Sequence, residues 1–135
     1  MVYDDYSGYK ARFKSGQIIE VGCMAHARRK FYELHVTGKS QIAEQGLALI
    51  QKLYAIEAEL RKETHKTAQQ RYAYRQQHSQ LVMQQLYEWL QQHALKVPPS
   101  SATAKAINYS LKRWSALSRY LDDGNLPIDN NWVEN

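Results

Sequence analysis

One cysteine, three prolines and two phenylalanines in 135 residues leave several architectures without the means to form. Cys23 has no second cysteine to pair with, so an internal disulfide framework is excluded and a reducing cytoplasm is the natural setting. Cys23 and His26 have the spacing of half a zinc site. Zinc needs four ligands, however, and His35, His65, His78 and His93 are scattered along the chain. No apolar run approaches the ~20 residues of a membrane-spanning helix. The segment from Met1 to Lys10 is polar and acidic and matches neither a signal peptide nor a transit peptide. Internal repeats and low-complexity segments are also lacking. Hydrophobic residues at 44% and charged residues at 23% exclude a disordered chain and fit a single domain with a modest core.

What is present is an uneven positive charge. The net charge is +5, which permits a polyanionic partner without requiring one. Arg28, Arg29 and Lys30 cluster early, beside His26, and Lys105, Lys112, Arg113 and Arg119 recur late. Asp4, Asp5, Asp122, Asp123, Asp129 and Glu134 lie towards the two ends.

The residue pattern predicts a mostly helical fold with one or two short strands near the N-terminus. Val2-Tyr3 reads as the tail of a strand running into Asp4, with Gly8 breaking it. The β-branched run in Gln17 to Cys23 reads as a short buried strand. Met24, Ala27, Phe31 and Leu34 then fall at helical spacing, in a helix that Gly38 should end. From Gln41 to Glu63 two adjacent stripes predict a bundled helix: Ala43, Leu47, Ile50 and Tyr54, then Leu49, Leu53, Ile56 and Leu60. Thr64 to Tyr74 is polar with a weak packing face. Leu81 to Leu95 is a firmer helix, with Val82, Leu86, Trp89 and Leu90 inward, stopped by Pro98 and Pro99. Ser100 or Ser101 can cap a further helix with Ile107, Leu111, Trp114, Leu117 and Leu121 on its apolar face. Gly124 suits its C-terminal cap. After Pro127, Asp129 can cap an element starting at Asn130. The six residues after Asp129 are too few for a helix that is stable by itself.

Three islands carry chemistry. Asp4-Asp5-Tyr6-Ser7-Gly8-Tyr9 places a carboxylate where a strand ends, a rigid support for a metal ligand, although a polar turn has the same composition. In Gly22 to Phe31, a helix would put His26, Arg29, Lys30 and Glu33 on a face opposite Met24, Ala27 and Phe31. Such a face can dock on phosphates or can simply be solvated. In Ile128 to Glu134, two consecutive asparagines, Asn130 and Asn131, are poor helix formers in a first turn, so their amides have a use there.

In order and in combination, these islands resemble the large transposase of the bacterial insertion sequence family sixty-six. The resemblance runs through Asp4 to Tyr9, Val21 to Phe31, Ala48 to Glu57, Ala104 to Trp114 and Tyr120 to Glu134, nearly the whole chain. It implies part of a ribonuclease H-like catalytic core over residues 1–35. A helical bundle is inserted over residues 36–124, and residues 125–135 return to the core at the start of the helix carrying the catalytic Glu. It implies an Asp, Asp, Glu triad in which Asp4 matches the second Asp and Glu134 the Glu. Asp5 stands where the family usually has Gly, and the first Asp is expected upstream of Met1. The fragment alone is therefore expected to be inactive. Asp4 and Glu134 would bind metal, two Mg2+ or Mn2+ ions in the full-length protein. His26 would act at the scissile phosphate, and Arg28, Arg29 and Lys30 would hold DNA. Cys23, Asp129, Asn130 and Asn131 would support the site.

The activity implied is magnesium-dependent DNA cleavage and strand transfer of an insertion sequence. The partners would be insertion-sequence ends and target DNA, with no membrane. A homo-oligomer is expected in the full-length assembly, in the bacterial cytoplasm at the nucleoid. Carboxylates suit this chemistry because a pair of magnesium ions ~3.5–4 Å apart can stabilise attacking and leaving oxygens together. The alternative is a non-catalytic helical DNA- or protein-binding module, its Asp and Asn residues serving as caps and turns and its tryptophans and ten tyrosines as core and interface.

Overall fold

The computed structural model describes the backbone of residues 2–3, 8–12 and 18–21, and the backbone and side chains of residues 23–62 and 66–129. The described chain is mostly α-helical, as its periodicity predicts. Its N-terminal part contains three short strands rather than one or two: β1 (Val2–Tyr3), β2 (Gly8–Arg12) and β3 (Ile18–Val21). They form an antiparallel sheet in the order β1-β2-β3, with Val2 level with Tyr9 and Tyr9 level with Val21. The expectation of a break at Gly8 is corrected here, because β2 begins there. Lys10 and Arg12 mask the strand in a hydropathy pattern, but pairing on both sides supplies its ladder hydrogen bonds. Since β1 and β3 both run against β2, their C-terminal ends lie at one end of the sheet.

Helix α1 (Met24–Gly38) comes next, burying Met24, Ala27 and Phe31 as their spacing predicts. It runs one residue past the expected stop. Gly38 stays helical, and the exposed Lys39 takes the left-handed conformation, with φ 51°, in the position glycine usually fills. Helix α2 (Gln41–Arg61) is capped by Ser40, whose Oγ accepts from the Ala43 N–H. Its two stripes merge into one face centred on Ala43, Gly46, Ile50, Leu53, Glu57 and Leu60. A Cβ at Gly46 would come within 2.9 Å of the Trp89 ring, so the absence of a side chain lets α2 lie close to its neighbour.

The polar stretch before Tyr74 and the apolar stretch after Leu81 form a single helix, α3 (Ala68–Ala94). Its start is a capping box in which Thr67 and Gln70 each accept from the other's backbone N–H. The weak hydrophobic face of its first half is replaced by hydrogen bonds to the chain segment 120–126. Arg71 Nε donates to the Gly124 carbonyl at 2.7 Å, Gln76 to Leu121 at 2.7 Å, and Arg75 to Tyr120 and Leu126 at 2.9 Å each. Arg75 also makes a two-pronged ion pair with Glu57 of α2, at 2.8 and 3.0 Å, with both side chains buried.

Ser101 caps α4 (Ala102–Lys112). The single helix expected beyond it is broken at Arg113. A short α5 (Trp114–Ser118) and a 3₁₀ turn (Arg119–Leu121) succeed it. The break changes the buried set to Ala116, Leu117, Tyr120 and Leu121, leaving Trp114 only partly buried. Gly124 is not a left-handed cap. It is a close approach, where a Cβ would run into the Ala68 carbonyl. The core joins α1, α2, α3, α4 and the segment 117–128 in one cluster.

Candidate functional site

The site is built where three parts of the chain meet. β3 ends at Val21, Cys23 precedes α1, and the Met24 N–H donates to the carbonyl of Ile128 at 3.2 Å. That bond satisfies one of the N–H groups a helix start leaves open. It also ties residues close to the end of the chain to residues close to its beginning. A side-chain bond reinforces the tie. Tyr54, in the second half of α2, donates its hydroxyl to Asp129 Oδ2 in a short hydrogen bond. Burial pushes the Tyr54 phenol well above the ordinary tyrosine range, and the adjacent Asp129 carboxylate adds to the shift.

Asp129 is 8% exposed, so the hydroxyl supplies the hydrogen bond its burial requires. The sequence predicts Asp129 as the cap of a helix beginning at Asn130. That N–H lies outside the described residues, and the bond to Tyr54 is one that sequence reasoning missed. A tyrosine in place of an aliphatic residue on the α2 stripe was the signal available.

Cys23 is 2% exposed at the head of α1, and its carbonyl accepts from the His26 N–H at 3.1 Å. His26 is half-buried in the first turn. Arg28, Arg29 and Lys30 are all exposed, but they do not act on one surface. Arg28 and Arg29 border an open cleft of about 500 Å³ between α1 and α2, together with Ala25, Tyr32, Gln51 and Tyr54. Lys30 turns to the other flank and lies 4.7 Å from the centre of the Tyr109 ring of α4, where the Arg113 guanidinium also sits, at 4.0 Å. His26, one turn before Lys30, is on the Lys30 side by helical spacing. No local pattern marked Tyr32, Gln51, Tyr109 or Arg113 as partners of the basic run.

Asp4, Asp5, Glu134, Asn130 and Asn131 lie outside the described residues. Among the described residues, no three histidine, cysteine, aspartate or glutamate side chains gather closely enough to hold a metal ion. Among them, too, no helix is long and apolar enough to cross a membrane.

Residues 1–135 match the family model described as Transposase IS66 family. The chain belongs to that family. Three proteins of Sinorhizobium fredii (strain NBRC 101917 / NGR234) are similar to it. They are the uncharacterized proteins y4qI, 42% identical over 138 residues, y4jD, 35% over 137, and y4hP, 31% over 147. Each match takes in 97% of this chain but only 25–26% of the relative, so the chain spans about a quarter of the length of these relatives. No solved structure matches the IS66-family chain.

Proposed function

We propose that this segment is the central part of a DNA transposase, contributing two carboxylates to a magnesium-dependent site for DNA cleavage and strand transfer. One observation carries the proposal: the bond from the Met24 N–H to the Ile128 carbonyl, locked by Tyr54 on Asp129. Asp4 directly follows β1, whose C-terminal end shares one end of the sheet with that of β3, and Glu134 comes five residues after Asp129. Both carboxylates thus stand within a few residues in sequence of described segments, Asp4 after Tyr3 and Glu134 after Asp129, although they are near opposite ends of the sequence. The strands would belong to a ribonuclease H-like core at residues 1–35. The helices of residues 36–124 would be an insertion between that core and residues 125–135, which would rejoin the core beside Met24, at the start of α1.

The donor chemistry fits magnesium, since Asp4 and Glu134 offer hard carboxylate oxygens. When bound, two Mg2+ (or Mn2+) ions would stabilise the attacking and leaving oxygens of an in-line displacement at phosphorus. The remaining work belongs to the chain. Arg28, Arg29 and Lys30 hold the DNA backbone, His26 donates a hydrogen bond in the region of the scissile phosphate, and Cys23 packs the head of α1. Tyr54 and Asp129 fix the approach to Glu134, with Asn130 and Asn131 orienting that turn. The working form is a homo-oligomer on insertion-sequence ends and target DNA, in the bacterial nucleoid.

The test is magnesium-dependent cleavage of a labelled insertion-sequence end by a full-length protein carrying this segment. Asp4→Asn and Glu134→Gln should each abolish cleavage while leaving DNA binding and thermal stability intact. Cleavage that survives both substitutions would remove the catalytic role and favour a helical DNA-binding module.

A further inference from the structure

The cleft between α1 and α2 differs from the rest of the basic surface. Arg28 and Arg29 enter it from one wall, Gln51 and Tyr54 from the other, and Tyr32 lies at its side. Among the described residues, no carboxylate lines it. Its volume of about 500 Å³ falls within the roughly 300–1,000 Å³ of clefts that take small ligands. Tyr32 is 48% exposed, a large aromatic surface left open to solvent, and the Arg28 guanidinium stands 5.6 Å from its ring centre. Neither Arg28 nor Arg29 forms an ion pair with a described residue, and Arg28 covers one face of the Tyr32 ring and leaves the other to the cleft, while Lys30 lies over Tyr109 on the other flank. The Tyr54 hydroxyl is committed to Asp129, so Tyr54 gives the cleft its ring rather than a donor.

Two guanidinium groups without a carboxylate partner among the described residues, an exposed aromatic face and a side-chain amide make a set with one chemical complement. Guanidinium groups bind a phosphodiester, the phenol face takes a flat heterocycle, and the amide meets polar atoms on a base edge. A duplex presents its phosphates on convex ridges and hides its base faces, so it can use the arginines but not the ring.

We propose that this cleft is a binding site for one unpaired nucleotide of a DNA strand, with its phosphate between Arg28 and Arg29 and its base against Tyr32. The inference rests on DNA being the substrate, as proposed above, and adds the form of DNA that this cleft selects. It needs neither Asp4 nor Glu134, so the two proposals fail separately.

The experiment is fluorescence anisotropy with the 135-residue protein. The probes are a labelled thymidine oligonucleotide and a duplex of equal length, at fixed salt. The single strand should bind more tightly than the duplex. Tyr32→Ala should weaken single-strand binding about tenfold and leave duplex binding unchanged, and Tyr32→Phe should bind like the native protein. Arg28→Ala with Arg29→Ala should weaken both probes. Gln51→Glu, which puts a carboxylate into the cleft, should weaken the single strand in particular. All four positions are exposed, and unchanged melting temperatures would confirm that the fold is intact. Equal binding of both probes, or single-strand binding indifferent to Tyr32→Ala and Gln51→Glu, overturns the nucleotide site. Loss of cleavage in the full-length Asp4 and Glu134 variants, with this cleft indifferent, would leave the catalytic proposal standing alone.

Discussion

At the scale of single residues, two phenols, the partly buried Tyr54 and the buried Tyr120, tie stability to pH. Burial raises the ionisation of Tyr54 and of Tyr120 far above the usual tyrosine value, helped at Tyr54 by Asp129 and at Tyr120 by the charge of Glu57. A group whose ionisation is raised in the folded state stabilises it fully below the unfolded value of about 10. That contribution is lost progressively as the pH climbs above it. Urea unfolding monitored between pH 8 and 11 should therefore show stability falling towards the alkaline end. Tyr54→Phe should flatten the fall, at the cost of removing one donor from the buried Asp129, about 1–3 kcal/mol at neutral pH. A native protein as stable at pH 11 as at pH 8 would contradict the burial of these hydroxyls. Lys39 offers the opposite sign. It holds a left-handed φ of 51° with an exposed side chain, and a residue with a Cβ is strained there by about 1 kcal/mol. Lys39→Gly should raise the melting temperature by a few degrees, part of the gain being offset by the greater freedom of glycine in the unfolded chain.

At the scale of elements, the first half of α3 is held by one ion pair and its hydrogen bonds rather than by an apolar face. Arg75 spans from Glu57 on α2 to the carbonyls of Tyr120 and Leu126, all of them buried. Removing one partner leaves the other charge buried, so Arg75→Ala or Glu57→Ala should cost about 3–5 kcal/mol in denaturant unfolding. The double replacement Glu57→Leu with Arg75→Leu should cost less than the sum of the single changes. Additive losses would show that the two side chains act independently. The same pair marks the limit of what was legible in sequence. Period-3.6 apolar stripes foretold α1, α2 and the second half of α3, because those faces are buried by their neighbours in the ordinary way. The first half of α3 was obscure because its packing is polar, and Arg71, Arg75 and Gln76 find acceptors about fifty positions away that no local pattern reveals. The central strand β2 was obscure for a related reason: its lysine and arginine hide a segment that long-range pairing selects. At the site, residue types and spacing located the islands and the resemblance joined them, but the division of the basic run between a cleft and the Tyr109 flank depends on how α1 packs against α2 and α4.

At the scale of the whole molecule, that division sets how the proposed DNA binding should respond to salt. A net charge of +5 on 135 residues is too small to hold DNA by overall attraction, so affinity depends on where the cations stand. Each phosphate neutralised on duplex DNA releases counterions and contributes about −0.9 to the slope of log K against log salt. Arg28 and Arg29 stand exposed and without an ion pair among the described residues, each available for a phosphate. Arg28 has its own ring contact with Tyr32, but inside the cleft, whereas Lys30 lies on the opposite flank and shares the Tyr109 ring with Arg113. Sequence alone would grant the three residues equal weight. The structure predicts that Arg28→Ala with Arg29→Ala makes the duplex slope shallower by about 2, and that Lys30→Ala changes it by less than about 1. Titration of a labelled duplex over a series of salt concentrations measures both. Equal changes per residue would place Lys30 in the same contact surface as the arginines and undo the separation into two flanks.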